Sequence, residues 1–319
     1  MKKRASSEQV LPSVGIVGLG IMGGTMAESL LGQGYKVSGF DISVQAQARL
    51  HSAGGVCCRS PAEVASQSDV LIISLSTAKA LAQVKESICE RSRAEWVAPP
   101  IVIETSTLPI GDKNSFAKAL RQRGMTTLDA PISGTAVRIK ERAWTFFVSG
   151  SQTAYRKVLP VLQVFTDKVS FVGPYGNGSK MKFAANHLVA IYNVAYAESV
   201  TLARKMGLDP KEMLQLFGNS PVLGTGVMRL RMPMMLEHQY SPATMTVHVW
   251  QKDMEVIGDM AKSVDCPTPL FSTAAAIYTS AMALGLAQQD TASTAEVLSA
   301  MAGLQSTQTK RHSQKKLKS

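Results

Sequence analysis

The chain has 319 residues and a formal net charge of +11, and this length predicts about two domains of roughly 150 residues each. Apolar residues make up 45% and charged residues 18% of the chain, a balance that is typical of globular proteins and argues against disorder. No apolar run reaches the roughly 18 residues that a membrane span needs. Residues 1–12 also lack the apolar stretch of a signal peptide. We therefore expect a cytoplasmic protein without membrane contact.

Much of the positive charge lies at the two ends of the chain. Eight lysines and arginines fall within residues 1–11 and 305–319, and without these eight side chains the net charge is about +3. Two basic, disordered tails are one interpretation, and weak contact with nucleic acid or a membrane surface is the other. We expect solvated tails and do not count nucleic acid among the partners. The four cysteines contain no Cys-x-x-Cys pair and the five histidines show no metal-ligand spacing, so we predict structural thiols and no metal site.

The first half of the chain alternates short apolar runs with helical patterns. A helix is predicted at Ile21–Gly32, where Met22, Met26 and Leu30 repeat along one face. Strand, helix and strand at this spacing indicate parallel pairing with right-handed crossovers. Residues 12–175 are thus predicted to form an α/β domain with a doubly wound, Rossmann-type parallel sheet. Its predicted strands are 14–18, 36–40, 69–75, 101–105, 126–132, 145–148 and 169–172.

Strand signals fade beyond residue 175. Residues 179–206 are rich in Ala, Val and Leu without Pro or Gly, which predicts one long helix, apolar on most sides and buried in a bundle. Gly207 is expected to end it. Residues 176–304 are thus predicted to form an all-helical domain that binds substrate and forms oligomers. Its further predicted helices are 211–217, 246–264, 270–286 and 291–301.

A glycine motif directly follows the first predicted strand. Gly18, Gly20 and Gly23 form Gly-x-Gly-x-x-Gly at the start of a helix, where Gly18 permits a tight turn and Gly20 lets a pyrophosphate approach the backbone. Gly23 allows close packing of helix on strand, and the helix N-terminus faces the phosphates. We therefore predict a dinucleotide site. The intervening residues of this site are Leu19, Ile21 and Met22.

The second strand supplies a clue to the kind of dinucleotide. It ends at Asp41, 21 residues after Gly20, where a carboxylate can accept hydrogen bonds from the adenine ribose and would repel a 2′-phosphate. This favours NAD over NADP. Leu75, Ser76 and Thr107 follow two further strands, and ligands in such sheets bind beyond the carboxyl ends of strands. Ordinary helix N-capping is the alternative role for these hydroxyls.

Two polar residues stand near the start of the long apolar helix. Lys182 and Asn186 are four residues apart and therefore share one face. Partial burial would lower the pKa of a lysine there, as proton transfer near neutral pH requires. A lysine whose ammonium group reaches the surface is the other interpretation, and periodicity alone favours it.

The order of four motifs resembles one family. Residues 18–23 (Gly-Leu-Gly-Ile-Met-Gly), 129–134 (Asp-Ala-Pro-Ile-Ser-Gly), 176–186 (Gly-Asn-Gly-Ser-Lys-Met-Lys-Phe-Ala-Ala-Asn) and Lys252-Asp253 resemble the β-hydroxyacid dehydrogenases. This family includes 3-hydroxyisobutyrate dehydrogenase, tartronate semialdehyde reductase and L-threonate dehydrogenase. The resemblance spans nearly the whole chain.

The resemblance implies a role for each matched residue. Lys182 matches the catalytic lysine, and Asn186 matches the amide beside the substrate oxygen. Ser133 and Gly134 match the turn that binds the substrate carboxylate. Lys252 matches a lysine that reaches both cofactor and substrate. The resemblance also implies a small anionic hydroxy acid as substrate and a homodimer or homotetramer.

The chain departs from the family pattern just after this turn. Thr135 replaces a second glycine, and we count it among the substrate-binding residues. Arg138 and Arg142 replace further glycines, and bulky Trp144 follows; these changes could reshape the substrate pocket. The arginines could favour a more anionic substrate, or they could simply lie on the surface.

Three functions follow from these observations. The leading one is an NAD-dependent oxidoreductase that interconverts a β-hydroxy acid and its semialdehyde or oxo acid, with a lysine as general acid and base. The second is an imine reductase, but those relatives typically carry Asp or Tyr where Lys182 stands. The third is a non-catalytic dinucleotide-binding scaffold that contacts nucleic acid through the basic tails.

Overall fold

The computed structural model describes residues 11–136 and 139–304. The chain divides into two compact units, Met1–Lys182 and Phe183–Ser319. Among the helices in the described ranges, none combines the length and apolar character that crossing a membrane requires.

The first unit is built on a six-stranded parallel sheet. Its strand order is β3-β2-β1-β4-β5-β6, so the chain leaves β1 in one direction and returns to the other side of it at β4. Every residue of β1 and β4 is buried, as expected for parallel strands covered on both faces. The strands are β1 Val14–Val17, β2 Val37–Phe40, β3 Val56–Cys57, β4 Val70–Ile73, β5 Ile101–Glu104 and β6 Thr126–Asp129.

Helices cover both faces of this sheet. Successive side chains of β1 belong to two separate cores, with Ile16 in one and Val17 in the other, because neighbouring residues of a strand point to opposite faces. The predicted doubly wound sheet is therefore confirmed. The helices are α1 Ile21–Gly32, α2 Val44–Ser52, α3 Pro61–Ser66, α4 Ala78–Cys89, α5 Ile110–Gln122 and α6 Gln152–Gln163.

A small second sheet also belongs to the first unit. It consists of β7 Ile132–Ser133, β8 Thr145–Val148 and β9 Val169–Phe171, with β7 antiparallel and β9 parallel to β8. The expectation of one strand over residues 126–132 was wrong. Pro131 separates β6 from β7, and because proline has no N–H to donate to a ladder, the chain leaves the first sheet there.

The second unit is helical throughout its described residues, as predicted. Helix α7, Asn177–Lys205, begins in the first unit and continues into the second. It ends as expected at Gly207, which has φ +80°, and the Leu208 N–H donates back to the Ala203 carbonyl. The remaining helices are α8 Pro210–Phe217, α9 Gly226–Glu237, α10 Val247–Ser263, α11 Pro269–Ala283 and α12 Thr294–Met301.

Helix α7 is not buried on all sides. One stripe is buried, but Met181, Leu188, Tyr192 and Leu202 are 36–57% exposed. The expectation that this helix is buried in a bundle therefore holds for that one stripe. These apolar side chains have no matching surface within the described part of a single chain.

Candidate active site

The glycine motif lies at the carboxyl end of β1. Gly18 has φ +92°, and a Cβ there would collide with the carbonyl oxygen of Ser74. A Cβ at Gly23 would collide with the carbonyl oxygen of Gly18. By contrast, a Cβ at Gly20 would meet no heavy atom within 4 Å. Two glycines are thus required by the packing of strand, turn and helix, and the third faces open space.

The N-terminus of α1 presents unshielded N–H groups. None of the described side chains caps this helix, and its first turn holds no acidic residue. The next three helices are each capped by a hydroxyl, from Ser43, Ser60 and Thr77. An uncapped helix N-terminus beside an open glycine fits a pyrophosphate group, since both its N–H groups and its dipole attract anions. Around this end Leu19 is buried, Met22 is half-buried and Ile21 is exposed.

Asp41 follows β2 and holds the glycine loop. Its Oδ2 accepts from the Leu19 N–H at 2.6 Å, and its Oδ1 accepts from the Ser43 N–H at 2.8 Å. A carboxylate has about four acceptor positions, so two remain for a ligand. The neighbouring Ile42 is 93% exposed and uncharged.

The remaining predicted cofactor residues lie along the same edge of the sheet. Leu75 and Ser76 follow β4, and Thr107 follows β5. The Leu75 N–H donates to Ser106 Oγ at 2.9 Å, which ties these two strand ends together. Ser76 is exposed, and the capping role for α4 belongs to Thr77. The fold therefore brings all the predicted cofactor-binding residues of the first unit to one edge.

The turn predicted to bind a carboxylate is supported from below. Ser133 ends β7, and Gly134 has φ +145°. Trp144 is fully buried beneath them, and its Nε1–H donates to the Thr135 carbonyl at 2.7 Å. The Trp144 ring packs in the core against Phe146 and Phe165. From there Trp144 fixes the backbone of the turn, and its effect on the substrate pocket stays a prediction.

Arg142 has a structural role on the surface. Its guanidinium pairs with Asp167 at 2.8 Å and donates to the carbonyl oxygens of Gln163 and Val164 at the end of α6. This pairing raises the pKa of Arg142 and lowers that of Asp167. Arg138 lies outside the described residues.

The two polar residues predicted on the long helix are both buried. Lys182 is 8% exposed and Asn186 is 4% exposed, one turn apart on α7, whereas Lys180 is exposed. Asn186 Nδ2 donates to Asp253 Oδ2 at 2.8 Å. The other oxygen of Asp253 lies 3.0 Å from Lys252 Nζ. Since a carboxylate only accepts hydrogen bonds, this contact fixes which side of the Asn186 amide faces Asp253.

The sequence analysis did not predict that Asp253 orients Asn186, although the pattern of α10 indicates a buried charge. Asp253 lies on the buried face of α10 with Trp250, Met254 and Ile257. A charged residue on an apolar helix face needs a partner, because unpaired buried charge is costly. Asn186 and Lys252 are those partners.

A buried charge network was also missed. Lys113 is 1% exposed, and its Nζ lies 2.6 Å from Glu104 and 2.5 Å from Asp129, both fully buried. Burial alone would lower the pKa of Lys113, but the two carboxylates outweigh it and raise the pKa. Burial and the same carboxylates raise the pKa of Tyr175.

Across the described ranges, no three His, Cys, Asp or Glu side chains are grouped as a metal site requires.

This network holds the first turn of α7. Asp129 Oδ2 accepts from the Ser179 N–H at 2.8 Å, and Ser179 Oγ contacts both Lys113 and Asp129 at 2.8 Å. Ser149 Oγ accepts from the Gly178 N–H at 2.9 Å. The signal in the sequence was Lys113 at an apolar position of α5, in step with Phe116, Ala117 and Leu120.

Two family profiles together cover nearly all of the described residues. Residues 13–173 match the NAD-binding domain of 6-phosphogluconate dehydrogenase. Residues 176–298 match a domain described as the NAD-binding domain of NADP-dependent 3-hydroxyisobutyrate dehydrogenase.

Individual proteins agree with these profiles. The chain is 31% identical over 281 residues to an L-threonate dehydrogenase of Cupriavidus necator, covering 87% of this chain and 93% of the relative. A crystal structure of a 3-hydroxyisobutyrate dehydrogenase from Salmonella typhimurium superimposes with a TM-score of 0.78 at 29% identity, covering 89% of this chain and 99% of the other. An imine reductase from a Pseudomonas species has a TM-score of 0.61 at 22% identity, covering 89% and 98%, which shows a shared fold only.

Proposed function

Because the chain belongs to the β-hydroxyacid dehydrogenase family, we propose that it interconverts a small β-hydroxy acid and its semialdehyde or oxo acid, with Lys182 as general acid and base. The observation that carries this proposal is a buried lysine one turn from a buried asparagine on α7. When bound, the nicotinamide supplies the hydride-transfer chemistry. The protein has to orient the substrate and exchange one proton with it.

The proton step belongs to Lys182 in this proposal. During reduction the carbonyl oxygen needs a proton, and during oxidation the hydroxyl needs a base, so one ammonium–amine pair serves both directions. Asn186 would hold the same oxygen. Its amide is oriented by Asp253, so it meets the substrate in a fixed orientation at little entropic cost.

The carboxylate of the substrate would bind at the turn formed by Ser133, Gly134 and Thr135. Support comes from the rigidity of this turn, which Trp144 fixes through the Thr135 carbonyl. A hydroxyl and backbone N–H groups on a fixed turn suit an anionic group.

We further propose NAD rather than NADP as the cofactor. Gly18, Gly20 and Gly23 with the N-terminus of α1 would hold the pyrophosphate. Asp41 keeps acceptor positions for the ribose hydroxyls, and the exposed Ile42 beside it offers no positive charge to a 2′-phosphate. Titrating the protein with NADH and NADPH tests this. NADH should bind at least about tenfold more tightly, because a like-charge contact at about 4 Å costs about 1–4 kcal/mol and about 1.4 kcal/mol corresponds to tenfold in affinity. Tighter binding of NADPH would contradict it.

The exposed apolar stripe of α7 supports a homodimer or homotetramer. Met181, Leu188 and Leu202 are among the large apolar side chains that the described part of one chain leaves in water. A second copy of this chain would bury them.

A substrate screen tests the function directly. Candidate acids are L-threonate, 3-hydroxyisobutyrate, glycerate and 4-hydroxybutyrate, each with NAD or NADP, and reduced cofactor is followed by absorbance. L-Threonate comes first because it names several relatives. We expect turnover with at least one acid, and loss of turnover in Lys182→Ala with NADH binding retained. Lys180→Ala is the matched control, since Lys180 lies on the same helix but is exposed.

Two outcomes would favour the other hypotheses. Greater activity on cyclic imines than on hydroxy acids would indicate an imine reductase. The absence of dehydrogenase activity, together with salt-dependent DNA binding that is lost on deletion of residues 305–319, would indicate a non-catalytic scaffold.

A further inference from the structure

Lys113 lies at the centre of a buried network of charges and hydrogen bonds. Lys113 Nζ contacts Glu104 and Asp129 and donates to the Ser106 carbonyl at 2.9 Å and to Ser179 Oγ at 2.8 Å. Two carboxylates and one ammonium group are enclosed with almost no exposure to solvent. Burying such a group of charges is costly, and only close pairing together with hydrogen bonds offsets the lost hydration.

One side of the network reaches the proposed cofactor edge. Glu104 Oε1 accepts from the Ser106 N–H at 2.9 Å, and Ser106 Oγ accepts from the Leu75 N–H at 2.9 Å. Leu75 is one of the residues predicted to contact the cofactor. Lys113 therefore stabilises the segments that follow both β4 and β5.

The other side of the network reaches the helix that carries Lys182. Asp129 accepts from the Ser179 N–H, and Ser179 Oγ contacts Lys113 itself. Ser179 and Lys182 are three residues apart on α7 and lie on the same buried stripe. A shift in the first turn of α7 is therefore transmitted to Lys182 within one helical turn.

We propose that Lys113 is a positioning residue, which acts through Asp129 and Ser179 to fix the first turn of α7 and thereby place Lys182 relative to the cofactor edge. This inference rests on the proposed function, because it assigns a purpose to the position of Lys182. Without Lys113, two buried carboxylates would face each other with no counter-charge. Asp129 would then no longer hold Ser179 in place.

Two variants with matched controls test this proposal in the full chain. Lys113→Met removes the charge at similar length, and Lys118→Met is its control on the exposed side of α5. Ser179→Ala removes the hydroxyl that contacts Lys113 and Asp129 but keeps the backbone N–H that donates to Asp129. Ser199→Ala is its control on the same helix. Ser179→Ala remains informative if Lys113→Met fails to fold.

The readouts are kcat, the KM of the hydroxy acid, the Kd of NADH and amide hydrogen exchange. For Ser179→Ala we expect kcat to fall about tenfold, because the free energy of one hydrogen bond to a charged group corresponds to about a tenfold change in rate. KM and Kd should change less than about twofold. Lys113→Met should lose more, and its Gly178 and Ser179 amides should exchange at least about tenfold faster. Both controls should behave as the wild type.

Several results would overturn the proposal. These are an unchanged kcat in Ser179→Ala, an equal loss in Ser199→Ala, or a parallel loss of NADH binding that shows general damage. If the wild type turns over none of the acids, the proposed function fails. Amide hydrogen exchange alone then decides whether Lys113 holds the first turn of α7. Wild-type exchange at Gly178 and Ser179 in folded Lys113→Met would then refute the positioning role.

Discussion

Replacing Asp253 with asparagine should weaken the contacts that orient Asn186 and Lys252 in the second unit. The substitution keeps the shape of the side chain but removes the charge that accepts from Asn186 Nδ2 at 2.8 Å and lies 3.0 Å from Lys252 Nζ. Both Asn186 and Asp253 are about 5% exposed or less. The change therefore acts on a desolvated contact, where the charge matters most.

The structure sets the size of the expected effect. A hydrogen bond to a charged group contributes about 1.5–3 kcal/mol and a neutral one about 0.5–1.5 kcal/mol. The hydrogen bond that orients the Asn186 amide therefore becomes weaker by about 1–2 kcal/mol in the variant. The pair with Lys252 adds about 1 kcal/mol at most, since Lys252 is 31% exposed. Losing 1–2 kcal/mol from the transition state lowers kcat by about 5- to 30-fold.

Steady-state kinetics with the best hydroxy acid, together with NADH titration, provide the assay. The Kd of NADH should change less than about twofold, and Asp259→Asn is the control, since Asp259 lies on the same helix with a 79% exposed side chain. In the Asn186→Ala background, Asp253→Asn should cost much less, which gives a coupling energy of about 1–2 kcal/mol. Additive effects of the two substitutions, or an equal loss in Asp259→Asn, would refute the reasoning.

Three further predictions concern stability, specificity and assembly. Burial alone would raise the pKa of Asp290, but Arg231 and nearby hydrogen-bond donors hold this pKa below its usual value. The ionised Asp290 therefore stabilises the fold above its unfolded pKa of about 3.9, and this stabilisation is lost as the pH falls through the lower folded pKa. Asp290→Asn should cost about 3 kcal/mol in urea unfolding at pH 7, and a cost that stays constant to the lowest measurable pH would contradict this. Arg142→Met should change the substrate KM less than about twofold, because Arg142 caps α6 and pairs with Asp167; a larger rise would give Arg142 a role in binding the anion. Leu188→Glu should turn an oligomer into monomers in sedimentation experiments, and a wild-type protein that is already monomeric would rule out the proposed interface.

The sequence predicted the fold well where one physical rule governed the pattern. The buried strands β1 and β4 consist of continuous apolar residues, and Gly18 and Gly23 after β1 stand where any larger residue would collide with the backbone. The long helix was also predictable, because 28 residues of the segment 179–206 lack both Pro and Gly. In each case local sequence and tertiary packing point to the same structure.

Predictions failed where a single residue changed the path of the chain. Pro131 divides one apolar run between two sheets. Helix α9, Gly226–Glu237, was not predicted, because Pro233 lies inside it and glycines flank its start. Proline usually ends a helix, but here Met228, Met232 and Met235 pack into buried positions along the continuing helix.

The contacts within the candidate site were the least predictable part. Spacing placed Lys182 and Asn186 on one face of a helix, but it did not reveal Asp253, which comes from α10. It also did not reveal that Lys113 of α5 and Asp129 of β6 meet at the start of α7. Such contacts join residues far apart in the chain, so the periodicity of any one segment carries no record of them. The sequence showed only buried positions occupied by charges.

A ternary complex with reduced cofactor and an unreactive analogue of the oxo acid tests the central claim most directly, through the distance from Lys182 Nζ to the carbonyl oxygen. We predict about 2.6–3.2 Å, the range in which an ammonium group can donate a proton. A Lys182 ammonium directed into solvent, with another group in hydrogen-bonding contact with that oxygen, would contradict the account.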